Sequence, residues 1–332
     1  MIISNESRVL ITGAHGFVGK HLTHELVNYC CSNEYTAEAG LLRPTRKQLN
    51  LLDAKAVDDF IEFEKPNIVI HLAGKVGGIG LNKEHPGQLT YQNLLMGANL
   101  IESCRKYGID KFICLGTTCS YPANCPVPFE EEDFLEFNRS GPGMPEITNA
   151  GYGLAKRMLY ELLRNYHIEY GFPFVYLIPA NMYGEYDHFD DSKSHVIPAL
   201  IKKFHQAKVN GDKNVVLWGD GSPTREFLYA GDCAKGIIAA MEKYEGIEPI
   251  NLATGKEVSI KQLARNIADV VGFDLSDSSS IIWDSTKPNG QMRRCLDTSK
   301  AKQLFGFTAE ADLFNTLNST YRWAIENEVL EI

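Results

Sequence analysis

The sequence predicts an α/β protein with a doubly wound parallel sheet, followed by a smaller C-terminal domain of mixed structure. Two observations predict this fold class. Apolar strands alternate with amphipathic helices as far as about residue 180, and longer loops replace the alternation beyond it. A chain of 332 residues also exceeds the length at which a single hydrophobic core usually stops growing, so two lobes are expected.

The first half of the chain carries the repeating pattern. Short apolar runs predict strands, and apolar positions three and four residues apart predict helices. The predicted strands are residues 8–12, 67–73, 112–116 and 174–178, and the predicted helices are residues 18–28, 92–107 and 152–166. Parallel strands need crossover connections, so helices are expected on both faces of the sheet.

The same pattern predicts the domains. Residues 1–180 form the first domain and residues 181–332 mainly the second, with regular elements around residues 227–255 that are expected to return to the sheet. No internal repeat, low-complexity tract or long linker interrupts the sequence. A pocket between the two lobes is therefore the expected binding site.

Composition and charge exclude several classes of protein. The chain has 33 basic and 42 acidic residues, and its net charge of −9 is spread along its length, which argues against a nucleic-acid or membrane partner. No apolar run approaches the ~20 residues of a membrane-spanning helix, and no signal peptide is expected. The eight cysteines form no C-x-x-C pair, which favours free thiols in a reducing cytoplasm.

A glycine-rich turn between the first strand and the first helix is the first chemical signal. Its sequence is Gly13-Ala-His-Gly-Phe-Val-Gly19. Glycines let the backbone turn tightly and approach a pyrophosphate, whose charge then meets the N–H groups at the start of the helix. The spacing is G-x-x-G-x-x-G rather than G-x-G-x-x-G, and a glycine-rich turn without a ligand is the alternative.

Basic residues follow the second strand region, at the place where an acidic residue would hold the ribose of NAD. The segment offers Arg43, Arg46 and Lys47 and no acidic residue there. Because a guanidinium grips phosphate oxygens with several donors, these residues favour NADP over NAD. A solvated basic turn is the alternative.

Tyr152 and Lys156 stand at positions i and i+4 of a predicted helix, so they share one face. A nearby ammonium favours the phenolate and is expected to lower the pKa of Tyr152 towards the working pH. The phenol would then protonate a carbonyl oxygen as hydride arrives. A structural pair on an ordinary helix is the alternative.

The glycine turn, the Tyr152/Lys156 pair and the segment Gly116-Thr-Thr-Cys-Ser-Tyr-Pro122 together resemble the extended short-chain dehydrogenase/reductases of the nucleotide-sugar branch. Five further stretches resemble the members of that branch that epimerise and reduce GDP-4-keto-6-deoxymannose. They are residues 71–79, 91–93, 194–200, 218–227 and 287–290. The resemblance runs nearly end to end, and it implies a Rossmann fold, NADP(H), a GDP-linked 4-keto-sugar substrate and a homodimer paired through two helices.

The resemblance implies a catalytic role for five residues. Thr117 hydrogen-bonds the 4-oxygen of the sugar, Tyr152 is the proton donor, and Lys156 is the cation beside it. Cys119 and His195 match the pair that epimerises C3 and C5. A thiol and an imidazole suit that task because both cycle their protons near neutral pH. The alternatives are a buried core thiol at Cys119 and a hydrogen-bonded loop histidine at His195.

The resemblance also implies two sets of binding residues. Cofactor binding is expected at Gly13, His15, Gly16, Phe17, Val18, Gly19, Arg46, Asp53, Leu72, Ala73 and Lys156. Substrate binding is expected at Asn181, Lys203, Trp218, Arg225 and Lys287. Three places depart from the family pattern: His15 and Lys203 each stand where relatives carry an arginine, and Thr117-Thr118 replaces a serine pair.

The expected function is the NADPH-dependent conversion of GDP-4-keto-6-deoxymannose to GDP-L-fucose, with epimerisation at C3 and C5 before hydride reduction at C4. This order follows because the neighbouring protons are no longer acidic once the ketone is reduced. A C4 reductase without epimerisation, acting on a related GDP-4-keto-sugar such as a GDP-heptose, is the main alternative. A nucleotide-sugar-binding protein without turnover is the second.

No metal is expected. Oxygen and nitrogen ligands do crowd together in one acidic segment, at Asp187, His188, Asp190, Asp191 and His195. Their spacing is too irregular for a ligand set, so a solvated segment over the substrate is the preferred interpretation.

Overall fold

The computed structural model describes residues 4, 6–33, 40–77, 79–135, 143–190, 194–287 and 289–330. The strands are β1 Val9–Thr12, β2 Leu41–Leu42, β3 Ile68–His71, β4 Lys111–Leu115, β5 Phe174–Pro179, β6 Asn181–Tyr183, β7 Val215–Trp218, β8 Thr224–Tyr229, β9 Ile250–Leu252, β10 Glu257–Ser259 and β11 Ile281–Asp284. The helices are α1 Phe17–Ser32, α2 Ala54–Glu64, α3 Ile79–Glu84, α4 Pro86–Tyr107, α5 Glu131–Leu135, α6 Ala150–Tyr170, α7 Val196–Asn210, α8 Ala230–Lys243, α9 Ile260–Val271, α10 Ser299–Phe305 and α11 Leu313–Glu326.

Within the described residues, six parallel strands form the main sheet, in the order β2-β1-β3-β4-β5-β9. Strand β2 lies on one side of β1. Strands β3, β4, β5 and β9 follow in that order on the other side. Because crossovers between parallel strands are right-handed, this reversal places helices on both faces. Helices α1 and α8 pack together, and α2, α4 and α6 pack in a second row. The doubly wound parallel sheet predicted from the sequence is confirmed.

The central strands are apolar and buried along their whole length. Strands β1, β3, β4 and β5 have the sequences VLIT, IVIH, KFICL and FVYLIP, and every residue in them is buried. Such continuous runs are typical of parallel strands covered by helices on both faces. The ends of these strands determine where the following loops begin, and those loops carry the candidate site.

A second hydrophobic core lies among α7, α9, α11 and two small sheets. Strands pair in the order β10-β8-β6, with β8 antiparallel to β10 and parallel to β6, and β7 pairs with β11 in parallel. Ile201, Phe204, Leu263 and Leu317 are buried in this core. It forms the smaller mixed unit of the predicted fold class.

The chain passes between the two cores more than once. It leaves the main sheet at Pro179 and enters the three-stranded sheet at Asn181. It returns with α8, which packs on α1, and with β9, which pairs with β5. A later segment that the sequence patterns did not indicate also joins the first core, through Leu296, Phe305 and Phe307.

No helix in the described part of the chain is long and apolar enough to span a membrane. All eight cysteines lie within the described residues and are free thiols. Six of them are buried, whereas Cys119 is partly exposed and Cys31 is exposed. These two thiols are therefore the ones open to solvent.

Candidate active site

Loops that follow β1, β3 and β4 meet at the carboxyl edge of the main sheet, where the strand order reverses. In open α/β sheets this crevice is the usual place for a ligand. The loop after β1 begins at Gly13, the loop after β3 carries Leu72 and Ala73, and Thr117 follows β4. The sheet therefore brings predicted cofactor-binding and catalytic residues to one edge.

The glycine turn forms a tight backbone cradle. Gly13 has a φ of +76°, and a Cβ there would lie 2.8 Å from the backbone nitrogen of Ala73. A Cβ on Gly19 would lie 2.1 Å from the Gly13 carbonyl oxygen. Only glycine allows α1 and the loop after β3 to approach the turn this closely.

The helix that follows the turn presents free backbone N–H groups. Helix α1 begins at Phe17, and Gly16 at its N-cap offers no side-chain acceptor. Val18 packs against the main core. Unpaired N–H groups at a helix start favour a bound anion, so the residues present fit the pyrophosphate of a dinucleotide.

Basic residues lie beside this turn. Strand β2 pairs with β1 in parallel, so the residues after β2 reach the same edge of the sheet as the glycine turn. His15 donates through Nε2 to the backbone oxygen of Arg43 at 3.0 Å. The side chains of His15, Arg43 and Arg46 are exposed. Exposed guanidinium groups at this place suit a 2′-phosphate.

Asp53 has a clear structural role. Its carboxylate accepts the backbone N–H groups of Lys55 and Ala56, at 3.0 and 3.1 Å, and thereby caps α2. Capping accounts for an aspartate at this position without any cofactor. A contact between Asp53 and NADP(H) stays a prediction.

Helix α6 and the turn after β4 bring the Tyr152 phenol close to the side chain of Thr117. The Thr117 hydroxyl oxygen also accepts the backbone N–H of Cys119 at 3.2 Å, which begins a short 3₁₀ turn. Ser120 donates to the carbonyl oxygen of Gly153 at 2.8 Å. A Cβ on Gly153 would lie only 2.1 Å from the Cys119 carbonyl oxygen. This close approach sets the position of the phenol relative to the turn.

Lys156 lies one turn further along α6 and is buried. Its ammonium donates to the carbonyl oxygen of Leu115, at the end of β4, at 3.0 Å. A Cβ on Gly74 would lie 4.0 Å from the same nitrogen, so the ammonium also borders the loop after β3. Burial lowers the pKa of Lys156.

The pKa of Tyr152 differs from the expectation. Burial raises the pKa of Tyr152, and the thiols of Cys119 and Cys114 raise it further, whereas the nearby Thr117 side chain lowers it. The expected lowering by Lys156 is wrong for this structure, because loss of solvent dominates and the ammonium is hydrogen-bonded to the sheet. Tyr152 is therefore a protonated phenol at neutral pH.

Cys119 lines a small pocket. The other residues around it are Thr118, Tyr121, Pro122, Ala123, Phe129, Glu146, Gln291 and Arg294. The Arg294 guanidinium donates to Gln291 at 2.9 Å and pairs with Glu146 at 3.3 Å. Sequence patterns did not indicate these three polar residues, because their segments come together only in the folded chain.

His195 stands at the N-cap of α7 and contacts Asp187. Its Nδ1 lies 3.1 Å from each carboxylate oxygen of Asp187. The Asp187 side chain is 1% exposed and the His195 side chain 39% exposed. Burial lowers the pKa of His195, but the hydrogen bond and the charge of Asp187 outweigh burial, so that the pKa is raised. Sequence patterns indicated Asp187 only within the rejected metal set.

Two lysines flank an exposed tryptophan in the smaller unit. The ammonium groups of Lys203 and Lys287 lie 6.0 and 5.9 Å from the ring centre of Trp218. Trp218 is 63% exposed. An exposed indole with two cations near it suits an aromatic base joined to a phosphate chain. The structure thus brings together three of the predicted substrate-binding residues.

Arg225 lies on β8 near a second guanidinium. Its pKa is lowered to about 10 by burial and by the charge of Arg294, while Glu146 acts in the opposite direction. Two guanidinium groups beside one carboxylate leave a net positive charge that favours an anion. Asn181 begins the neighbouring strand β6 and donates to the Glu226 carbonyl oxygen at 3.2 Å, which is a structural contact.

Among the residues that the structure describes, no group of three or more His, Cys, Asp or Glu side chains could hold a metal ion. Asp191 lies outside the described residues. Asp187 is hydrogen-bonded to His195 instead. The described part of the acidic segment therefore contributes a hydrogen-bonded aspartate–histidine pair.

The fold and the site define a class. The glycine cradle lies at the edge of a parallel sheet, and Tyr152 and Lys156 on α6 have the Tyr-x-x-x-Lys spacing of the short-chain dehydrogenase/reductases. Residues 9–253 match the model of the NAD dependent epimerase/dehydratase family, and the chain belongs to that family. The resemblance stated from the sequence is confirmed.

Individual relatives are similar along almost the whole chain. GDP-L-fucose synthase of Escherichia coli is 36% identical over 333 residues, which cover 98% of each chain. A GDP-L-fucose synthetase from Naegleria fowleri, solved with NADP bound, has a TM-score of 0.85 at 28% identity, covering 99% of this chain and 97% of that one. A GDP-6-OMe-4-keto-L-xylo-heptose reductase from C. jejuni has a TM-score of 0.87 at 27% identity, covering 98% and 99%.

Proposed function

We propose that this protein converts GDP-4-keto-6-deoxymannose into GDP-L-fucose with NADPH. The observation that carries the proposal is the convergence of Thr117, Cys119, Tyr152 and Lys156 at one edge of the main sheet. Similarity to the GDP-L-fucose synthase of Escherichia coli, over nearly all of both chains, supports the same activity. The protein is then an NADP-dependent nucleotide-sugar epimerase/reductase.

NADPH is held by the glycine turn and the residues beside it. The cradle between Gly13 and Gly19 fits the pyrophosphate, and the exposed Arg43 and Arg46 fit the 2′-phosphate. Leu72 and Ala73 border the cradle from the loop after β3. When bound, NADPH supplies the hydride for the ketone carbon.

Epimerisation comes first because only the ketone makes the protons at C3 and C5 acidic. One acid–base group removes the proton, and the electron pair of the carbon–hydrogen bond moves into an enolate whose oxygen bonds to Thr117 and Tyr152. The second group delivers a proton to the opposite face, which forms the new carbon–hydrogen bond. Cys119 and His195 are the proposed pair, and both recover their starting protonation by exchange with water after each inversion.

Reduction at C4 uses Tyr152 as the acid. Its raised pKa keeps the proton on the phenol until the 4-oxygen gains negative charge. The phenol then gives this proton to that oxygen. The Lys156 ammonium, on the same face of α6, compensates the charge of the phenolate that remains.

The nucleotide part of the substrate binds in the smaller unit. Trp218 offers a face for the base, and Lys203 and Lys287 beside it meet the diphosphate. Arg225 adds a planar set of donors for phosphate oxygens. Arg225 lies near Arg294, which lines the small pocket with Cys119, so the sugar would extend from the diphosphate towards that pocket.

A second candidate is a C4 reductase without epimerisation. The similarity to the C. jejuni GDP-6-OMe-4-keto-L-xylo-heptose reductase, with a TM-score of 0.87 over nearly all of both chains, supports this candidate. Thr118, which stands where the family pattern has a serine, also lines the small pocket with Cys119. The labelling experiment below separates the two candidates.

A homodimer paired through α4 and α6 is part of the proposal. These helices pack on each other, and several of their large apolar side chains are exposed: Tyr91, Met158, Ile168 and Tyr170. A dimer formed through these two helices would cover such side chains. Light scattering of the purified protein tests the dimer.

The free thiols suit a reducing cytoplasm.

The decisive experiment runs turnover in deuterated water with GDP-4-keto-6-deoxymannose and NADPH. We expect deuterium at both C3 and C5 of the product and hydride from NADPH at C4, as read by NMR. Reduction at C4 without label at C3 or C5 would establish the reductase alone. Binding without any loss of NADPH would exclude both enzymes.

A further inference from the structure

The contact between Asp187 and His195 joins a buried carboxylate to a partly exposed imidazole. Both carboxylate oxygens of the buried Asp187 lie 3.1 Å from Nδ1 of the partly exposed His195. Within the described residues, Nε2 of His195 has no hydrogen-bond partner. One ring nitrogen is therefore engaged by a buried anion, and the other is available.

Asp187 is held in place independently of His195. Its Oδ1 accepts the backbone N–H of His188 at 2.8 Å. The preceding residue, Tyr186, has a φ of +71°, a conformation that residues other than glycine rarely adopt. Its ring packs against the rings of His21 and Trp323, with centroids 5.4 and 5.1 Å apart. The backbone therefore presents Asp187 in one orientation.

We propose that Asp187 is a positioning residue that keeps the proton of neutral His195 on Nδ1, so that Nε2 exchanges protons with the substrate carbon. A carboxylate can only accept, so Nδ1 must donate to it. Nε2 then carries the lone pair of the neutral ring and the second proton of the cation. The proposal rests on the proposed epimerase function, and Asp187 acts through His195 rather than on the sugar.

A positioning role makes a prediction that a merely structural role does not. The negative charge of Asp187 stabilises the imidazolium that forms when Nε2 takes a proton. Hydride reduction at C4 depends on Tyr152 and makes no use of that imidazolium. Loss of the Asp187 charge should therefore slow exchange at C3 and C5 and spare reduction, whereas a structural defect would impair both.

The test compares two rates in the full-length Asp187→Asn variant, whose amide matches the carboxylate in size. One rate is the incorporation of solvent deuterium into GDP-4-keto-6-deoxymannose without NADPH. The other is NADPH consumption with an already epimerised GDP-4-keto-sugar. We expect exchange to fall about 100-fold or more, as for a lost acid–base group, and reduction to change by less than about threefold.

Three further measurements sharpen the result. Asp187→Glu should restore part of the exchange, because it returns the charge. His188→Asn alters an exposed neighbouring side chain and should leave both rates unchanged. The exchange rate measured against pH should show an apparent pKa for His195. This pKa should lie above 6.5 in the unmodified protein and should be lower in Asp187→Asn.

The outcomes separate the positioning role from the proposed function. Exchange by Asp187→Asn within about twofold of the unmodified protein, or equal loss of exchange and reduction, overturns the positioning role and leaves the epimerase standing. Absence of exchange in the unmodified protein overturns both. If Asp187→Asn fails to fold, ¹⁵N shifts of the His195 ring in the unmodified protein decide, and a neutral ring protonated at Nε2 overturns the proposal.

Discussion

Gly153 faces the carbonyl oxygen of Cys119 so closely that a methyl group on its Cα would lie 2.1 Å from that oxygen. Helix α6 carries Tyr152, and the turn after β4 carries Thr117, so this contact sets the distance between proton donor and hydroxyl. Gly153→Ala should cost about 1–3 kcal/mol of unfolding free energy by overpacking and should lower kcat at least tenfold. Thermal unfolding and NADPH consumption measure the two effects. Gly87→Ala is the control, since nothing lies within 4 Å of a Cβ there.

Tyr152→Phe should abolish most of the reduction. Removal of a positioned acid typically lowers kcat by about 10²–10⁴-fold, while binding of NADPH should persist because the cradle is untouched. Stopped-flow reduction and fluorescence titration of NADPH measure the two quantities. Tyr166→Phe, on the same helix but hydrogen-bonded to Glu102, should retain activity. Full reduction by Tyr152→Phe would exclude the phenol as the donor.

Cys119→Ser should slow deuterium exchange at one or both carbons by about 100-fold, because a hydroxyl is a far weaker acid than a thiol. Reduction of an already epimerised keto-sugar should be largely unaffected. NMR of the keto-sugar in deuterated water follows the exchange. Cys31→Ser, which changes an exposed thiol on α1, should behave as the unmodified protein. Normal exchange by Cys119→Ser would assign the thiol to the pocket wall alone.

Lys287→Met should raise KM for the GDP-sugar about tenfold, which corresponds to about 1.4 kcal/mol, with little change in kcat. The lost interaction is a charge on the diphosphate, so the difference should shrink at high salt. Steady-state kinetics at two ionic strengths test both points. Lys302→Met removes an exposed cation on α10 and serves as the control. A change confined to kcat would place Lys287 outside the binding site.

His71 should make the protein sensitive to acid. Burial and the nearby Lys156 lower the pKa of His71 from 6.5 to about 3. Between these two pH values the unfolded chain therefore binds a proton at His71 and the folded chain does not. The free energy of unfolding should therefore fall by about 1.4 kcal/mol per pH unit below pH 6.5. Burial raises the pKa of Glu131 to about 7, so protonation of this carboxyl makes the folded protein more stable as the pH falls. The contribution of His71 must therefore be measured as the difference in stability between the unmodified protein and a His71 variant.

Urea unfolding of the unmodified protein and of His71→Asn isolates this contribution. The stability advantage of the unmodified protein should shrink by about 2 kcal/mol between pH 6.5 and pH 5, because the asparagine does not titrate. An advantage that stays constant over this range would show that the folded chain protonates His71 as readily as the unfolded chain does.

Much of the fold follows from the sequence because the central strands are apolar on both faces. Runs such as IVIH and FVYLIP are distinctive, and the first helix and the Tyr152 helix begin within a few residues of their predicted starts. Helix α4 begins at Pro86, earlier than the predicted residue 92, because Pro86 and Gly87 in its first turn are residues with low helix propensity. The segment from Leu296 to Phe307 was missed because its burial depends on distant strands.

The site is predictable to a lesser degree. Spacing places Tyr152 and Lys156 on one face of a helix, but spacing cannot show that Lys156 bonds to the Leu115 carbonyl oxygen. The sign of the pKa shift of Tyr152 depends on burial, which is a tertiary property. Asp187 stands close to His195 in sequence, yet only the fold aligns its two oxygens with Nδ1.

Strand β9 pairs with β5, whose residues are all buried. A fragment cut after residue 180 would lose that cover and present an unpaired apolar strand, which is a template for aggregation. The nucleotide-binding half is therefore not a detachable piece of the chain. A different sugar-binding domain could be attached to this half only by joining the two chains at every point where the polypeptide passes between the two cores. Strand β9 and the segment from Leu296 to Phe307 would have to be kept, because both belong to the first core.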